Sequence, residues 1–392
     1  MTAIEVPRAG SSRRSEERSG YSSIIVPALQ HFSDPLSNRV SAERLHSMTD
    51  IPAYPTLSSS LPYARAAGGR LTDFAKSNPL LAAGSAVAVG LAALALINNR
   101  VARKAERDHP PTGKFLTIDG CRLHYVEQGE GDPLVLLHGN GSMIQDFKSS
   151  GLMDLAAKDY RVLVFDRPGY GHSDRPRTSI WTADLQADLI CKALQRLNIA
   201  RALVLGHSWG ASVAVAFALK HPAMVRGLVL ASGYYYPTPR ADAILLSGPA
   251  IPVIGDLIRF TIAPLLARLV WPGMLRKIFG PRPVPAKFAG FPKELALRPS
   301  QIRASAAEAA LMLPTALSHS GDYAALKMPV TIIAGADDRL IDTEQQSARL
   351  HRDVAQSDFG SLAGEGHMIQ QTATASVMAA IQSTDARSRE QR

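Results

Sequence analysis

Cysteine is nearly missing from this chain: Cys121 and Cys191 are its only two in 392 residues. Two cysteines so far apart make no disulfide framework and no zinc-type spacing, so both read as packing residues. Acidic side chains are also in short supply, with 34 Asp and Glu against 43 Lys and Arg, a net charge of +9. The excess is dispersed and no nucleic-acid-binding motif accompanies it, so no nucleic-acid partner is expected; an anionic membrane surface explains the charge at least as well. No internal repeat is visible. No secretory signal peptide opens the chain, because the first apolar block lies far from Met1. Apolar residues still make up 46% of the chain, enough to bury a sizeable core.

Residues 1–78 form a low-order segment rich in Ser, Arg and Pro, with Ser11-Ser12-Arg13-Arg14-Ser15-Glu16-Glu17-Arg18 as its most solvated stretch. Met48 offers an alternative start. Residues 80–97 then run without a charge, long enough for a membrane span, and Gly84, Ser85 and Gly90 are tolerated in lipid. A transmembrane helix is therefore expected over residues 79–99. Its N-terminal flank carries Arg65, Arg70 and Lys76; its C-terminal flank carries Arg100, Arg103, Lys104, Arg107 and Lys114. The positive-inside rule puts the domain that follows in the cytoplasm.

From Lys114 the pattern turns strand-like. Residues 114–119 and 121–126 alternate around Asp119-Gly120, a hairpin turn signal. Continuous apolar runs at 133–137, 161–165, 202–205, 228–231 and 330–334 read as strands covered on both faces and complete the strand set. Helical runs fall at 182–197 and 211–220. Strands alternating with helices imply a mainly parallel α/β sheet with helices on both faces and the hairpin at one edge. The alternation breaks over about residues 233–320, a helical stretch read as an inserted cap over the sheet's carboxyl edge. Pro249, Pro252, Pro264 and Pro272 are expected to break it into short helices. It holds ten Lys and Arg against four Asp and Glu, a net of +6.

The chemistry centres on Gly206-His207-Ser208-Trp209-Gly210. Between an apolar run and a helical one, G-x-S-x-G fits a nucleophile elbow, where a strained turn lifts a Ser hydroxyl above the sheet edge. A Ser nucleophile needs a base, and the base an orienting acid. His367, in Gly364-Glu365-Gly366-His367-Met368, supplies the base. Asp338, in Gly335-Ala336-Asp337-Asp338-Arg339, supplies the acid, with Asp337 as its competitor.

On these residues, residues 111–385 resemble the α/β-hydrolase superfamily. His138-Gly139-Asn140-Gly141 is similar to the family's oxyanion loop. Asp166-Arg167-Pro168-Gly169-Tyr170-Gly171-His172-Ser173 resembles its D-x-P-G-x-G-x-S loop. The resemblance implies an oxyanion hole from the backbone N–H groups of Trp209 and Asn140. It implies structural jobs for His138, His172 and His207, and no metal or organic cofactor. Asn140 and Trp209 also match positions that hold a halide in haloalkane dehalogenases; those enzymes use an Asp nucleophile, so with Ser208 present the pair reads as pocket lining. The expected protein is a serine hydrolase of the carboxylesterase or lipase type. It would cleave a hydrophobic small-molecule ester, less readily an amide or lactone, through an acyl-enzyme. Two alternatives stand beside it: a cofactor-free perhydrolase or haloperoxidase using the same triad, and a catalytically silent, membrane-tethered binding module.

Overall fold

The computed structural model describes residues 75–391. The low-order segment before residue 75 and the start at Met48 lie outside them. A long helix α1 (Pro79–Asp108) leads into an eight-stranded sheet. Its strands are β1 (Lys114–Ile118), β2 (Cys121–Gln128), β3 (Asp132–Leu137), β4 (Tyr160–Phe165), β5 (Ala202–His207), β6 (Val225–Ala231), β7 (Val330–Gly335) and β8 (Ser357–Leu362). They lie in the order β1-β2-β4-β3-β5-β6-β7-β8. β2 runs antiparallel to both neighbours, and every pairing from β4 to β8 is parallel. The β1–β2 hairpin turns on Asp119 and Gly120, both at positive φ, the backbone twist that a two-residue loop needs.

β8 is absent from the sequence reading, and the reason is in its composition. Ser-Asp-Phe-Gly-Ser-Leu has no continuous apolar run, and Phe359 is its single strong β-former. It is an edge strand, held by pairing along β7 from Val330↔Ser357 to Gly335↔Leu362.

The central strands are buried on both faces. Leu134, Leu136, Val162, Val164, Leu203 and Leu205 point to one side and pack with α2 (Ile144–Ser150), α3 (Leu152–Ala156) and the C-terminal α13 (Thr374–Glu390). Val135, Leu137, Leu163, Phe165 and Val204 point to the other, against α4 (Ala183–Arg196) and α5 (Trp209–Lys220). Successive strand residues face opposite ways, so the unbroken apolar runs are what a sheet sandwiched between helices requires. Thr182 caps α4 by accepting the Leu185 N–H at 3.1 Å.

Between β6 and β7 the chain leaves the sheet and forms α6 (Ala241–Leu246), α7 (Ile254–Phe260), α8 (Ile262–Phe279), α9 (Lys293–Ala296) and α10 (Pro299–His319). Two proline expectations fail here. Pro264 sits in the first turn of α8, where its missing N–H has no partner to lose, and Pro272 lies inside α8, which continues to Phe279. The chain re-enters the sheet at β7, then passes through α11 (Arg349–Asp353), β8 and α12 (Ile369–Thr372) to α13.

α1 corrects a boundary. The helix does not stop at residue 99; it runs to Asp108, with residues 109–113 joining it to β1, because its last three turns pack on the body. Asn98 is 3% exposed, and its Nδ2 donates to the carbonyls of Phe260 at 3.0 Å and Thr261 at 2.7 Å. Ala105 is buried against Phe291 and Leu295, and Glu106 pairs with Arg298 at 2.7 Å. The apolar part before Asn98 is different: its most apolar eighteen-residue window is wholly unburied, and the helix is long and apolar enough to cross a membrane.

Candidate active site

The sheet's order reverses at β3, because β3 leads to β4 on one side while the later strands continue from β5 on the other. At such a switch point the loops leaving the strands' carboxyl ends diverge and open a crevice. β3 and β5 end side by side, with Leu137 paired to Gly206. Their loops, His138-Gly139-Asn140 and His207-Ser208, therefore meet: a Cβ added to Gly139 would lie 3.0 Å from Ser208 Cβ and 3.2 Å from His207 Nδ1.

Ser208 joins β5 to α5 with φ 55° and ψ −122°. A non-glycine residue held there costs on the order of 1–3 kcal/mol and persists only when its surroundings over-determine it. They do: its N–H donates to Ala231 O at 2.9 Å, and its carbonyl accepts the Ala211 N–H at 2.9 Å. The flanking glycines are required by contact. A Cβ on Gly206 would stand 2.3 Å from Gly210 O, and one on Gly210 2.2 Å from Leu137 O. Trp209 is the first residue of α5, so its N–H has no intrahelical acceptor. No hydrogen bond to the Asn140 N–H is made among the described residues.

Two loops from the far side of the sheet complete the arrangement. β7 ends at Gly335, and Asp338 follows three residues on. One of its oxygens accepts the N–H groups of Leu340 at 2.7 Å and Ile341 at 3.0 Å; the other lies 2.7 Å from His367 Nδ1. Burial alone would raise the Asp338 carboxyl, but the His367 ring and these N–H donors more than offset it and hold the group below its usual range. An ionised Asp338 fixes the His367 proton on Nδ1 and leaves Nε2 as the acceptor. Asp337 takes another role: its side chain accepts the Gly364 N–H at 2.8 Å and its backbone N–H donates to Glu365 O at 3.0 Å, closing the loop that carries His367.

His207 ties this loop to the elbow. Its Nε2 lies 3.0 Å from His367 O, and the two rings are 5.0 Å apart. Burial first, then the neighbouring His367, pulls the His207 pKa down to about 3. The ring is therefore neutral, with its proton on Nε2 facing that carbonyl. His138 is likewise buried and lowered to about 3 by burial and by Arg167; its Nδ1 faces Gly139 O at 2.8 Å while Nε2 accepts the Arg167 N–H at 3.0 Å. His172 donates its backbone N–H to Asp166 at 3.0 Å and sets its ring on His109 O.

The largest feature the sequence reading passed over lies beside Asn140. Arg167, fully buried, forms a two-pronged pair with Glu308 of α10, and its remaining N–H groups reach the carbonyls of His138 and Gly139 and the Gln186 side chain. Tyr170 adds a hydroxyl to Glu308 at 2.7 Å and another contact to Asn140 Oδ1 at 3.1 Å. Asn140 Nδ2 in turn donates to Ser305 O on α10 at 3.1 Å. The Asn140 side chain is thus committed to holding α10 over the loop rather than left free as pocket lining. Trp209 Nε1 is the opposite case, a buried donor with no hydrogen-bond partner among the described residues. The available signal was Glu308 itself, a lone acid in Ala306-Ala307-Glu308-Ala309-Ala310. A second buried pair, His124 with Asp166 at 2.7 Å, was hidden in the alternation of β2.

A family model described as the alpha/beta hydrolase fold matches residues 132–374, more than half of the chain. The 2-hydroxymuconate semialdehyde hydrolase of Pseudomonas sp. (strain CF600) is 33% identical over 144 residues, which cover 36% of this chain and 51% of that one. The proline iminopeptidase of Heyndrickxia coagulans is 35% identical over 125 residues, covering 31% and 43%. The chain thus spans about half the length of these curated relatives. Among solved structures, the enol-lactonase from Burkholderia xenovorans LB400 superimposes with a TM-score of 0.56 at 20% identity, covering 69% of this chain and 98% of that one, a likeness of fold. The chain belongs to the alpha/beta hydrolase fold family.

Proposed function

We propose that this alpha/beta hydrolase is a membrane-anchored serine hydrolase that cleaves esters of hydrophobic substrates. The observation that carries the reading is a buried His367–Asp338 couple whose loop is tied, through His207, to the elbow that bears the strained Ser208. In the proposed reaction His367 Nε2 takes the Ser208 proton as Oγ attacks the carbonyl carbon. Asp338 stabilises the resulting imidazolium. The backbone N–H groups of Trp209 and Asn140 receive the oxyanion. His367 then protonates the leaving alcohol, and water, deprotonated by the same ring, releases the acid. The membrane part rests on α1, whose unburied apolar stretch is spanning length. The excess of basic residues after it favours a cytoplasmic hydrolase domain.

The relatives' names widen the chemistry to be screened, because they include a 2-hydroxymuconate semialdehyde hydrolase and a proline iminopeptidase. A fluorophosphonate probe tests the shared core: it should label the full-length chain and leave Ser208→Ala unlabelled, while no labelling of either would favour a silent binding module. A panel of acyl esters of rising chain length, a proline amide and a muconate semialdehyde then ranks the substrates. Preference for either of the last two would overturn the ester assignment and leave the nucleophile standing. A C-terminal tag open to protease from outside spheroplasts would overturn the orientation.

A further inference from the structure

The helices inserted before α10 turn apolar side chains outward. On α8 the exposed positions Ile262, Leu265, Leu266, Leu269, Val270 and Met274 recur at the spacing of a single helical face. The opposite face is the one that meets protein: Pro264 and Phe279 are buried, Trp271 stacks on Phe291, and Arg268 is bonded to Glu294 and Asn98. A surface helix in water has its polarity the other way round. α6 and α7 continue the pattern, with Leu245 82% and Ile254 59% exposed. From Ala243 to Leu275 the only charged side chains are Asp256, Arg259 and Arg268, and all three are held by partners. An apolar surface of this extent marks an interaction site.

What covers it is decided by where it lies. The corner between α7 and α8 is bonded to α1 through Asn98, whose side chain donates to Phe260 and Thr261 and accepts from Arg268. The outward apolar face therefore begins at the level where the unburied stretch of α1 leaves the body. Eighteen helical residues, 80–97, rise about 27 Å, close to the hydrocarbon thickness of a bilayer, about 30 Å. A membrane crossed by that stretch has its surface at Asn98, against the α6–α8 face. These helices do not cross it themselves. The arm Ala243–Ala250 meets α7 at 97°; α7 is seven residues long, about 10 Å, and α8 is packed along its length on the body. They are suited to lie flat in the interface. Arg276 closes the stripe, where a long basic side chain reaches headgroups.

We propose that α6–α8 form a second membrane contact, an interfacial face immersed beside the span, with a lipid bilayer as its occupant. The proposal rests on α1 being a span but not on the ester chemistry. It gives the site a route to its substrate, because the same insertion holds the site: the His367 N–H donates to Ile278 O at the end of α8, and α10 anchors Asn140. A substrate dissolved in lipid meets these helices before it meets water.

The test uses the full-length chain in nanodiscs, with Leu269→Cys, Leu245→Cys and, as the aqueous control, Arg201→Cys at the opposite end of β5. Each carries a bimane label; the two native cysteines are buried. Lipids brominated in the acyl chain should quench the labels at 269 and 245 several-fold more than at 201, while aqueous iodide should quench 201 and spare the other two. Equal iodide quenching at all three sites overturns the immersed face, and shielding of 269 and 245 from both quenchers overturns it in favour of a protein partner. A carbonate wash of the same variants separates this outcome from failure of the span: protein retained in the pellet with 269 open to iodide condemns the face alone.

Discussion

At the residue scale the account turns on how unequal neighbouring side chains are. Ser208→Ala and His367→Ala should each lower kcat by several orders of magnitude, with little further loss in the double variant, because such groups act as a unit. Asp338→Asn should cost less, since the ring keeps its place but loses its charge partner. Asp337→Asn should leave kcat nearly unchanged and lower stability slightly, because it closes a loop through the Gly364 N–H. Steady-state kinetics on a short soluble ester checks all four; a larger kcat loss in Asp337→Asn than in Asp338→Asn would reverse the assignment of the acid. Ser208, His367 and Asp338 stand out as candidates in sequence because each lies beside or close after glycine, Ser208 and Asp338 just past readable strands and His367 in a small-residue loop before an apolar helical run. Arg167, Glu308 and Tyr170 were not, because a buried ion pair between residues 141 positions apart leaves no local pattern.

At the element scale, α10 is fastened by that ion pair to the loop after β4, and through the other N–H groups of Arg167 to the carbonyls of the loop after β3. Breaking a buried pair from one side leaves an uncompensated charge and costs about 3–5 kcal/mol. Glu308→Gln is therefore expected to lower the melting temperature markedly. Arg167→Met with Glu308→Leu should recover part of the loss, since Arg167 is then no longer stranded and only Arg175, 3.9 Å from Glu308, loses its carboxylate; calorimetry of the two variants decides. If Glu308→Gln melted like the wild type, the pair would not be the fastening. The elements themselves were readable where composition and environment agree, as in the doubly buried β3 to β7. They were misread where packing overrides local signals. α1 continues to Asp108 because Asn98, Ala105 and Glu106 find partners on the body. α8 runs through Pro272, and β8 exists only by pairing with β7.

For the whole molecule, acid should act through the buried imidazoles. His138 and His207 are held near 3 in the native state, while an unfolded His titrates near 6.5. Between those values the unfolded chain binds more protons, so stability falls as the pH falls, each ring contributing a slope of up to about 1.4 kcal/mol per pH unit. Asp338 and Asp166, both lowered, add a loss of the same sign below the ordinary carboxylate pKa. Asp146, raised by burial, works against it. The melting temperature should therefore drop steadily from pH 6.5 toward 4, and His207→Gln should flatten that slope by about one ring's share. A melting temperature that stays level across the window would mean that these rings are charged in the fold. The most direct test of the account is to catch the covalent step. Full-length protein in nanodiscs, mixed with an activated medium-chain ester and quenched in acid within the first turnover, should carry one acyl mass increment on the peptide containing Ser208, and Ser208→Ala should carry none. Continued turnover without any adduct on Ser208, or an equal adduct in the Ser208→Ala protein, would contradict it.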